Sequence, residues 1–599
     1  MTLSFDIYRE KVLGCWLGKA VGGTLGGPWE GHGGPLELSF YDPVPDEMLP
    51  NADLDLQVVW LETLRRRGLP VERRSLADAW LRHVHMWPDE YGVACRNLAH
   101  GLYPPASGAY DNGFTAGMGS AIRSEIWACL APGDPELAAA LAREDACVDH
   151  HGEGVHSEVY LATLESAAFV ETDRERLLDR AAEAIPPSSR VARAIADTRK
   201  WWQDTEDWKQ VRARLLEKHG RQNFTDVAQN LAITILGWLA GDGDFGKAIC
   251  TAVNCGKDAD CTGATLGALL GILDPNGIGE EWLRPIGRDL VLSPPIVGMH
   301  APATLDAFTD QVAALAVDVL SFYESNVQLT DVPDLPESRA GMAPPRPAPP
   351  ALVAVGEDVS PRESLLACEP LVLHLTYPEP TAFLPGQAGR CTLRVGNPVE
   401  TTVDAEICLS VPDGWRLEKS RHRIRLAAEE EATLSFTITA PPADVVRRCS
   451  NPLVCRLTAN GLLWEITAGL PQSLPWRRWP VEQTDVLPGG IPETAETREV
   501  PGHFQSLPEG AHAFAIDLKS PLKGTRRIVV QAPRPCRVWL DGRRICEHDG
   551  THQVPAIHRA RNTGADVPLE RRWHRLVITV DAGPDGELFT GLGDPGTWD

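Results

Sequence analysis

Two aspartates separated by one residue carry the clearest chemical signal in the sequence. Asp258 and Asp260 follow a Cys-Gly-Lys turn and precede residues 263–271, in which glycine and alanine recur at intervals of three or four positions. Such small residues predict a helix that another helix can approach closely. Carboxylates at a helix start face its positive end, where anionic groups and hard cations are readily held. The pattern therefore predicts a divalent-cation site.

Two other interpretations compete with a cation site at this turn. The order Asp-x-Asp-x-Thr-Gly imitates an EF-hand loop, but Leu269 stands at the twelfth position, where such a loop needs a bidentate glutamate. Calcium-loop binding is therefore discarded. A plain helix cap formed by Asp260 or Thr262, without any metal, stays open at this point.

Further carboxylates stand in two segments near the N-terminus. Glu30 ends a glycine-rich segment, residues 14–31, which fits close helix packing better than a phosphate loop because no Gly-Lys-Ser/Thr follows. Asn51, Asp53 and Asp55 come directly before an apolar helical pattern. The helix dipole stabilises carboxylates at such a position even without a metal.

Polar groups also gather in two glycine-bearing stretches further along the chain. Asn112, Arg123 and Glu125 surround one of them, and His150 and Gly152 belong to the other. His150 and the histidine after it cannot share one face of a helix, so a loop lining a pocket is the better interpretation. The zinc pattern HExxH is absent and oxygen ligands dominate, which favours a hard cation.

The elements that must position these residues change type along the chain. Apolar residues recur at helical spacing through the first half, which predicts an all-α domain over residues 1–328. Residues 329–360 are rich in proline and predict an extended linker. Alternation of apolar and polar residues then predicts two all-β sandwich-type domains, 361–475 and 476–599, the second sandwich-like or jelly-roll-like. The predicted fold is thus multidomain.

Composition limits the partners and the compartment. The net charge of −25 argues against nucleic acid and anionic membranes, because a phosphate-binding surface needs clustered lysine and arginine. No apolar run has the length of a membrane span, and the N-terminal residues lack the order of a secretory signal. The 14 cysteines at irregular spacing fit reduced thiols, which predicts a cytoplasmic protein, although Cys449/Cys455 and Cys536/Cys546 could close small loops.

Four motifs together resemble the ADP-ribosylglycohydrolase family. They are the glycine-rich loop ending at Glu30, the acidic helix start at residues 51–55, Asp149-His150 with Gly152-Glu153-Gly154, and the stretch from Val253 to Gly263. The resemblance covers about the first half of the chain and is most specific in the last motif. It implies an all-α fold with a binuclear magnesium site that hydrolyses N- or O-glycosidic bonds at the anomeric carbon of ribose.

The resemblance also implies roles for individual residues. Asp53, Asp258 and Asp260 correspond to metal ligands, and Asn51 and Cys261 complete the candidate ligand set within the same motifs. The implied cofactor is Mg²⁺, as one or two ions, with Mn²⁺ or Ca²⁺ as alternatives.

Three positions depart from the family pattern. Ala52 stands where an aspartate is expected, Cys261 replaces a serine or threonine, and Gly23 stands where many members have aspartate. Loss of a carboxylate weakens one of the two cation positions. One cation and two cations therefore both stay open.

The residues and the resemblance together predict a metal-dependent glycosyl hydrolase. Glu30 or Asp55 would act as general base or protonate the leaving group, while Arg123 and His150 would position substrate, with Asn112, Glu125 and Gly152 as further substrate-binding candidates. The β domains resemble accessory modules of carbohydrate-active enzymes, which favours a glycoside or ribosylated small molecule over a protein substrate. Protein de-ADP-ribosylation and a catalytically decayed sugar- or nucleotide-binding protein are the alternatives, and homo-oligomerisation is left open.

Overall fold

The computed structural model describes residues 1–85, 89–221, 223–333, 360–442, 451–500, 504–519, 523–532, 534–549, 564–582 and 587–593. Within these residues, contacts define two compact units. The first lies within Met1–His85 and Thr115–Val359, and the second lies within Met86–Phe114 and Ser360–Asp599.

Helices make up nearly all of the first unit's regular structure. The helices of the chain are α1 (Phe5–Gly26), α2 (Ala52–Arg67), α3 (Arg73–His83), α4 (Asp89–Ala99), α5 (Ala106–Ala109), α6 (Glu125–Leu130), α7 (Pro135–Ala146), α8 (Glu153–Ala168), α9 (Arg174–Glu183), α10 (Arg190–Thr205), α11 (Trp208–His219), α12 (Val227–Gly241), α13 (Phe245–Asn254), α14 (Ala259–Leu273), α15 (Glu280–Ile286) and α16 (Leu305–Phe322). All except α4 and α5 belong to the first unit, so the predicted helical character of this region is confirmed.

Helices α1 and α14 pack antiparallel with their backbones in contact. A methyl group added at Gly22 would lie 1.9 Å from the carbonyl oxygen of Gly263, far inside van der Waals distance. The same relation repeats every four residues, in the pairs Gly14–Gly271, Gly18–Gly267, Gly22–Gly263 and Gly26–Ala259. The spacing of small residues therefore predicted the close approach correctly. As a result, the C-terminal end of α1 lies beside the N-terminal end of α14.

Strands dominate the second unit. The strands of the chain are β1 (Thr2–Ser4), β2 (Gln328–Thr330), β3 (Glu363–Ala367), β4 (Val372–Thr376), β5 (Ala388–Gly396), β6 (Val403–Ser410), β7 (Arg416–Glu418), β8 (Arg421–Leu426), β9 (Glu431–Thr439), β10 (Pro452–Ala459), β11 (Leu462–Gly469), β12 (Leu474–Pro480), β13 (Glu496–Val500), β14 (Phe504–Ser506), β15 (Gly510–Lys519), β16 (Gly524–Gln531), β17 (Cys536–Leu540), β18 (Arg543–His548), β19 (Gly564–Leu569), β20 (Trp573–Ala582) and β21 (Glu587–Gly593). Strands β1 and β2 form a parallel pair in the first unit.

Two pairs of sheets form the β structure of the second unit. The first pair has the strand orders β3-β4-β5-β9-β7 and β11-β10-β6-β8, and one apolar core draws residues from both sheets. The second pair has the orders β13-β12-β15-β20-β17-β18 and β14-β21-β16-β19, again with a shared core. The alternation of apolar and polar residues thus correctly predicted sandwich-type β structure after the helical region.

The segment from the end of α4 to the start of α5 packs with the first pair of sheets. Leu102 and Ala106 belong to its apolar core. Leu365 donates a backbone hydrogen bond to Pro104 over 3.0 Å, and Gly469 donates one to Gly101 over 2.7 Å. The local sequence pattern of this segment is helical and therefore predicts, wrongly, that it belongs to the helical domain. The segment instead contacts strands that are distant in the sequence, and such contacts cannot be recognised from local periodicity.

The structure also bears on the predicted linker, on the cysteines and on membrane-spanning helices. The predicted linker falls largely on residues 334–359, which lie outside the described residues, and its first two residues, Leu329 and Thr330, belong to β2. In the described part of the chain Cys455, Cys536 and Cys546 are free thiols, whereas Cys449 lies outside it. In that same part, none of the helices combines the length and the apolar character needed to cross a membrane.

Candidate metal centre

Backbone pairing joins the loop after α1 to the loop before α14. Lys257 donates its N–H to the carbonyl of His32 over 2.7 Å, and Gly31 donates to the carbonyl of Lys257 over 2.8 Å. Lys257 adopts a left-handed conformation with φ of 68°, which turns the chain into α14. The two loops thus form a short bridge that holds Glu30 beside Asp258 and the residues after it.

Helix α14 begins at the carboxylates rather than being capped by them. Asp258 occupies the N-cap position, but its side chain makes no capping hydrogen bond. Its backbone N–H donates to Asn230 Oδ1 over 3.3 Å. The hydroxyl of Thr262 donates to the carbonyl of Ala259 over 3.2 Å and does not cap the helix either. The plain-cap interpretation that the sequence left open therefore has no support in the geometry of this turn.

The start of α2 is the third element of the site, after the loop that follows α1 and the start of α14. Asn51 caps this helix, because its Oδ1 accepts the backbone N–H of Asp53 over 2.6 Å. A methyl group added at Gly23 would lie 2.1 Å from Asn51 Nδ2, so Gly23 leaves the space that the asparagine occupies. Asn51 was a predicted metal ligand, and the structure gives its oxygen a capping bond. The cap fixes the backbone that carries Asp53.

Five side chains converge where these elements meet. Ligand atoms of Glu30, Asp258 and Asp260 all lie within 4.8 Å of one another, and so do those of Asp53, Asp260 and Cys261. Asp260 is common to both groups. We call this set the carboxylate cluster. Asp53 and Asp258 are buried, while Glu30 and Asp260 are half-buried. The structure thus brings together Glu30 and four of the five predicted ligands.

The carboxylate cluster concentrates negative charge that a bound cation would compensate. Burial raises the pKa of Asp260 well above its usual range, and the neighbouring carboxylates of Glu30 and Asp258 raise it further. Asp260 Oδ1 accepts no hydrogen bond from any described residue. Buried carboxylates that face one another are costly unless a positive charge compensates them. Four carboxylates in this arrangement fit the oxygen-rich donor set that Mg²⁺ prefers. Burial and the nearby carboxylates also raise the pKa of the Cys261 thiol.

A buried lysine adjoins the cluster, and the sequence analysis did not select it. Lys19 on α1 donates to Glu125 Oε1 over 2.7 Å, and its ammonium lies 3.6 Å from Asp53 Oδ1. Gln57 Nε2 donates to the other oxygen of Glu125 over 2.9 Å. Burial raises the pKa of Glu125 to about 7, although Lys19 opposes the shift. The sequence signal that could have identified Lys19 is that it is a single charged residue inside an otherwise apolar helical stretch.

Arg123 is the centre of a second buried network in the helical unit. Its guanidinium pairs with Asp145 over 3.0 Å and with Asp149 over 2.6 Å. His150 Nδ1 lies 2.9 Å from Asp149 Oδ1. Burial alone would raise the pKa of Asp149, but Arg123 and His150 lower it to about 2. All four side chains are fully buried, so Arg123 and His150 are held by internal partners. Their predicted role in positioning substrate stays a prediction.

We expect Arg123→Lys to destabilise the helical unit by about 3–5 kcal/mol, because a lysine cannot make both bidentate contacts and leaves a buried carboxylate without its partner. Arg199→Lys is the matched control, since Arg199 also pairs with two carboxylates but is 22% exposed. Its expected effect is below about 1 kcal/mol. Urea unfolding of both variants measures the difference, and equal losses would contradict a special role for the buried network.

Asp55 lies on a different side of α2 from Asp53. Residues two apart on a helix point in nearly opposite directions, so only one of them can face the carboxylate cluster. Asp55 Oδ1 instead accepts the backbone N–H of Ser293 over 3.0 Å. Burial is the main cause that raises the pKa of Asp55 to about 7. The structure does not bring this predicted catalytic residue into the cluster, and its role in catalysis stays a prediction.

The raised pKa of Asp55 predicts a pH dependence of stability. The ordinary pKa of the group is 3.8 and its pKa in the folded protein is about 7. At a pH between these two values, Asp55 keeps its proton in the folded protein but has lost it in the unfolded chain. Stability should therefore fall as the pH rises through this window, by up to about 4 kcal/mol. Asp55→Asn keeps a hydrogen-bond acceptor for Ser293 and should remove the part of the pH-dependent loss of stability that is due to Asp55. Urea midpoints of metal-stripped protein at pH 4.5 to 7.5 test this, and parallel curves for both proteins would contradict it.

The two remaining substrate-binding candidates lie in different units. Gly152 is the N-cap of α8 with φ of 59°, and a methyl group added there would meet no atom within 4 Å. Asn112 belongs to the second unit, where its Nδ2 donates to Gly108 over 2.7 Å and its Oδ1 accepts from Phe114 over 2.9 Å. Gly152 therefore borders open space, while the Asn112 side chain holds its own turn.

The family model for ADP-ribosylglycohydrolase matches residues 5–317. Because this match covers more than half of the 599 residues, the chain belongs to the ADP-ribosylglycohydrolase family. Membership supports a hydrolase of the glycosyl hydrolase type in general. The resemblance inferred from the four motifs is thereby confirmed.

Solved structures give weaker likenesses. An ADP-ribosylglycohydrolase-related protein complex is 22% identical, with 53% of this chain and 99% of that chain covered and a TM-score of 0.38. An anti-sigma factor domain-containing protein is 12% identical, with 34% and 80% covered and a TM-score of 0.16. Trypsin-activated alpha-2-macroglobulin from Escherichia coli is 13% identical, with 28% and 10% covered and a TM-score of 0.16. TM-scores this low support no functional conclusion. No curated protein matches the chain significantly.

Proposed function

We propose that this chain is a metal-dependent glycosyl hydrolase that cleaves an N- or O-glycosidic bond at the anomeric carbon of a ribose-like or other small sugar. One observation carries the proposal. In the helical unit, ligand atoms of Glu30, Asp258 and Asp260 lie close enough together to share a cation, and Asp53 lies in an adjoining group with Asp260 and Cys261. Helix capping does not account for this convergence, and a divalent cation would compensate its negative charge.

In this proposal Glu30, Asp258 and Asp260 would hold Mg²⁺, while Asp53 belongs to the adjoining group with Asp260 and Cys261. The bound ion would supply Lewis acidity toward a sugar hydroxyl or a water molecule. We assign acid–base chemistry to Glu30 rather than to Asp55, because Glu30 is half-buried on a loop whereas Asp55 is fully buried against Ser293. The Glu30 carboxylate would accept a proton from the attacking water or return one to the leaving group.

The substrate class rests on an analogy and on the rest of the chain. Two sandwich-type β modules accompany the helical unit, and such modules often accompany carbohydrate-active enzymes. This favours a glycoside or a ribosylated small molecule over an ADP-ribosylated protein. Protein de-ADP-ribosylation remains the alternative within the same chemistry, since both reactions open a bond at the anomeric carbon.

A substrate panel with metal control tests the proposal. Aryl furanosides, nucleosides and an ADP-ribosylated peptide are incubated with metal-stripped protein, with and without added Mg²⁺. We expect Mg²⁺-dependent turnover of a small glycoside, loss of that turnover in Asp258→Asn, and its retention in Asp274→Asn, an exposed aspartate just after the other end of α14. Turnover of the peptide alone would favour de-ADP-ribosylation. Turnover that is unaffected by chelation and by Asp258→Asn would refute the metal-dependent mechanism.

A further inference from the structure

The two halves of the carboxylate cluster differ in their donors. Three carboxylates, those of Glu30, Asp258 and Asp260, form one half. The other half shares Asp260 and adds only the carboxylate of Asp53 and the thiol of Cys261. Mg²⁺, Mn²⁺ and Ca²⁺ prefer oxygen ligands, and a sulfur ligand is a poor substitute for one. The first half is therefore the better cation site.

A fixed positive charge already stands beside the weaker half. The Lys19 side chain is 1% exposed, and its ammonium lies 2.7 Å from Glu125 Oε1 and 3.6 Å from Asp53 Oδ1. Gln57 holds the other oxygen of Glu125, so the anion that anchors the lysine is itself fixed. Lys19 also lies on α1 next to Gly18, whose contact with Gly267 fixes this part of the helix against α14. The ammonium is therefore held beside Asp53 by buried partners.

We propose that the Lys19 ammonium takes the place of a second metal ion, so that this chain binds one divalent cation, at Glu30, Asp258 and Asp260. This inference rests on the proposed function and deepens it. A divalent ion bound to Asp53 would stand within a few ångströms of the ammonium, in a region with little water to screen their repulsion. Lys19 thus acts as a positioning residue, because it holds Asp53 by its charge while the metal occupies the other half.

Counting bound Mn²⁺ tests the proposal without any activity measurement. Metal-stripped full-length protein is titrated with Mn²⁺, and free Mn²⁺ is followed by electron paramagnetic resonance. We expect one ion per chain in the wild type, and still one in Ala52→Asp, which supplies a carboxylate at the start of α2. We expect two ions in the double variant Lys19→Met, Ala52→Asp. The matched control is Lys11→Met with Ala52→Asp, which removes a lysine from the same helix away from the cluster and should bind one ion.

Each outcome has a distinct meaning. Two ions in the wild type or in Ala52→Asp would overturn the inference, and so would a single ion in a folded double variant with Lys19→Met. Both results would leave the metal-dependent function intact. Should the Lys19 variant fail to fold, as judged by circular dichroism, the counts in the wild type and in Ala52→Asp decide alone. No binding to any of the proteins would instead remove the proposed function.

Discussion

Asp260→Asn is expected to abolish the stabilisation of the protein by divalent cations while leaving the metal-free protein at least as stable as the wild type. Asp260 is the carboxylate common to both halves of the cluster, so its loss removes a ligand from either. Replacement of residues that merely support a metal ligand costs about 10–100-fold in affinity, and loss of a ligand itself should cost at least as much. Cation concentrations that saturate the wild type should therefore leave the variant largely unbound.

The metal-free behaviour follows from the electrostatics of the same residue. Burial, Glu30 and Asp258 raise the pKa of Asp260 well above its usual range, so the folded metal-free protein holds a proton that the unfolded chain releases. Metal-free stability should fall as the pH rises above the ordinary aspartate pKa, because the unfolded state then binds fewer protons than the folded state. Asparagine carries no charge and should reduce this fall.

Thermal unfolding with and without Mg²⁺ separates the two effects. At a free Mg²⁺ concentration of 100 times the dissociation constant, the bound ion raises the free energy of unfolding of the wild type by about 2.7 kcal/mol. We expect that gain in the wild type and in the control Asp274→Asn, and no gain in Asp260→Asn. An equal gain in all three proteins would place the cation elsewhere. A strong loss of metal-free stability in Asp260→Asn would show that the carboxylate has a structural role that we have not recognised.

Local patterns in the sequence predicted the parts of the site that depend on neighbouring residues. The spacing of Gly263 and Gly267 indicated close helix packing, and the pair Asp258 and Asp260 indicated a ligand turn. Both are properties of one helix and of the turn before it, which a short stretch of sequence encodes. Asp53 came from the resemblance to a family motif, since its own surroundings were equally consistent with a helix start stabilised by the dipole.

The features that sequence reasoning missed depend on contacts between distant elements. Lys19 looked like an isolated charge, and only the fold brings Glu125 to within 2.7 Å of it. Residues 89–114 read as ordinary helix and turn, but Leu102 and Ala106 fill a core that strands far along the chain provide. Asp55 was selected together with Asp53 because both are acidic, although the helical rotation between them sends the two side chains to different neighbours.

Gly22→Ala is expected to damage both the fold and the cation site, because the position of the metal ligands depends on the contact between α1 and α14. The new methyl group would lie 1.9 Å from the carbonyl oxygen of Gly263, and backbone atoms cannot move aside as a flexible side chain could. The helices must separate, at a cost of about 3 kcal/mol, the upper part of the usual range for overpacking. Urea unfolding measures this loss.

The same separation should weaken cation binding, although Gly22 touches no ligand in the cluster. Glu30 follows the end of α1, whereas Asp258 and Asp260 stand at the start of α14, so any shift between the helices changes the distances among their oxygens. Gly33→Ala is the matched control, since a methyl group there would meet no atom within 4 Å in the loop after Glu30. We expect it to stay within about 0.5 kcal/mol of the wild type in stability and to bind Mn²⁺ normally. Normal Mn²⁺ affinity in folded Gly22→Ala would mean that the bridge between the loops at His32 and Lys257, rather than the glycine contact, holds the ligands in place.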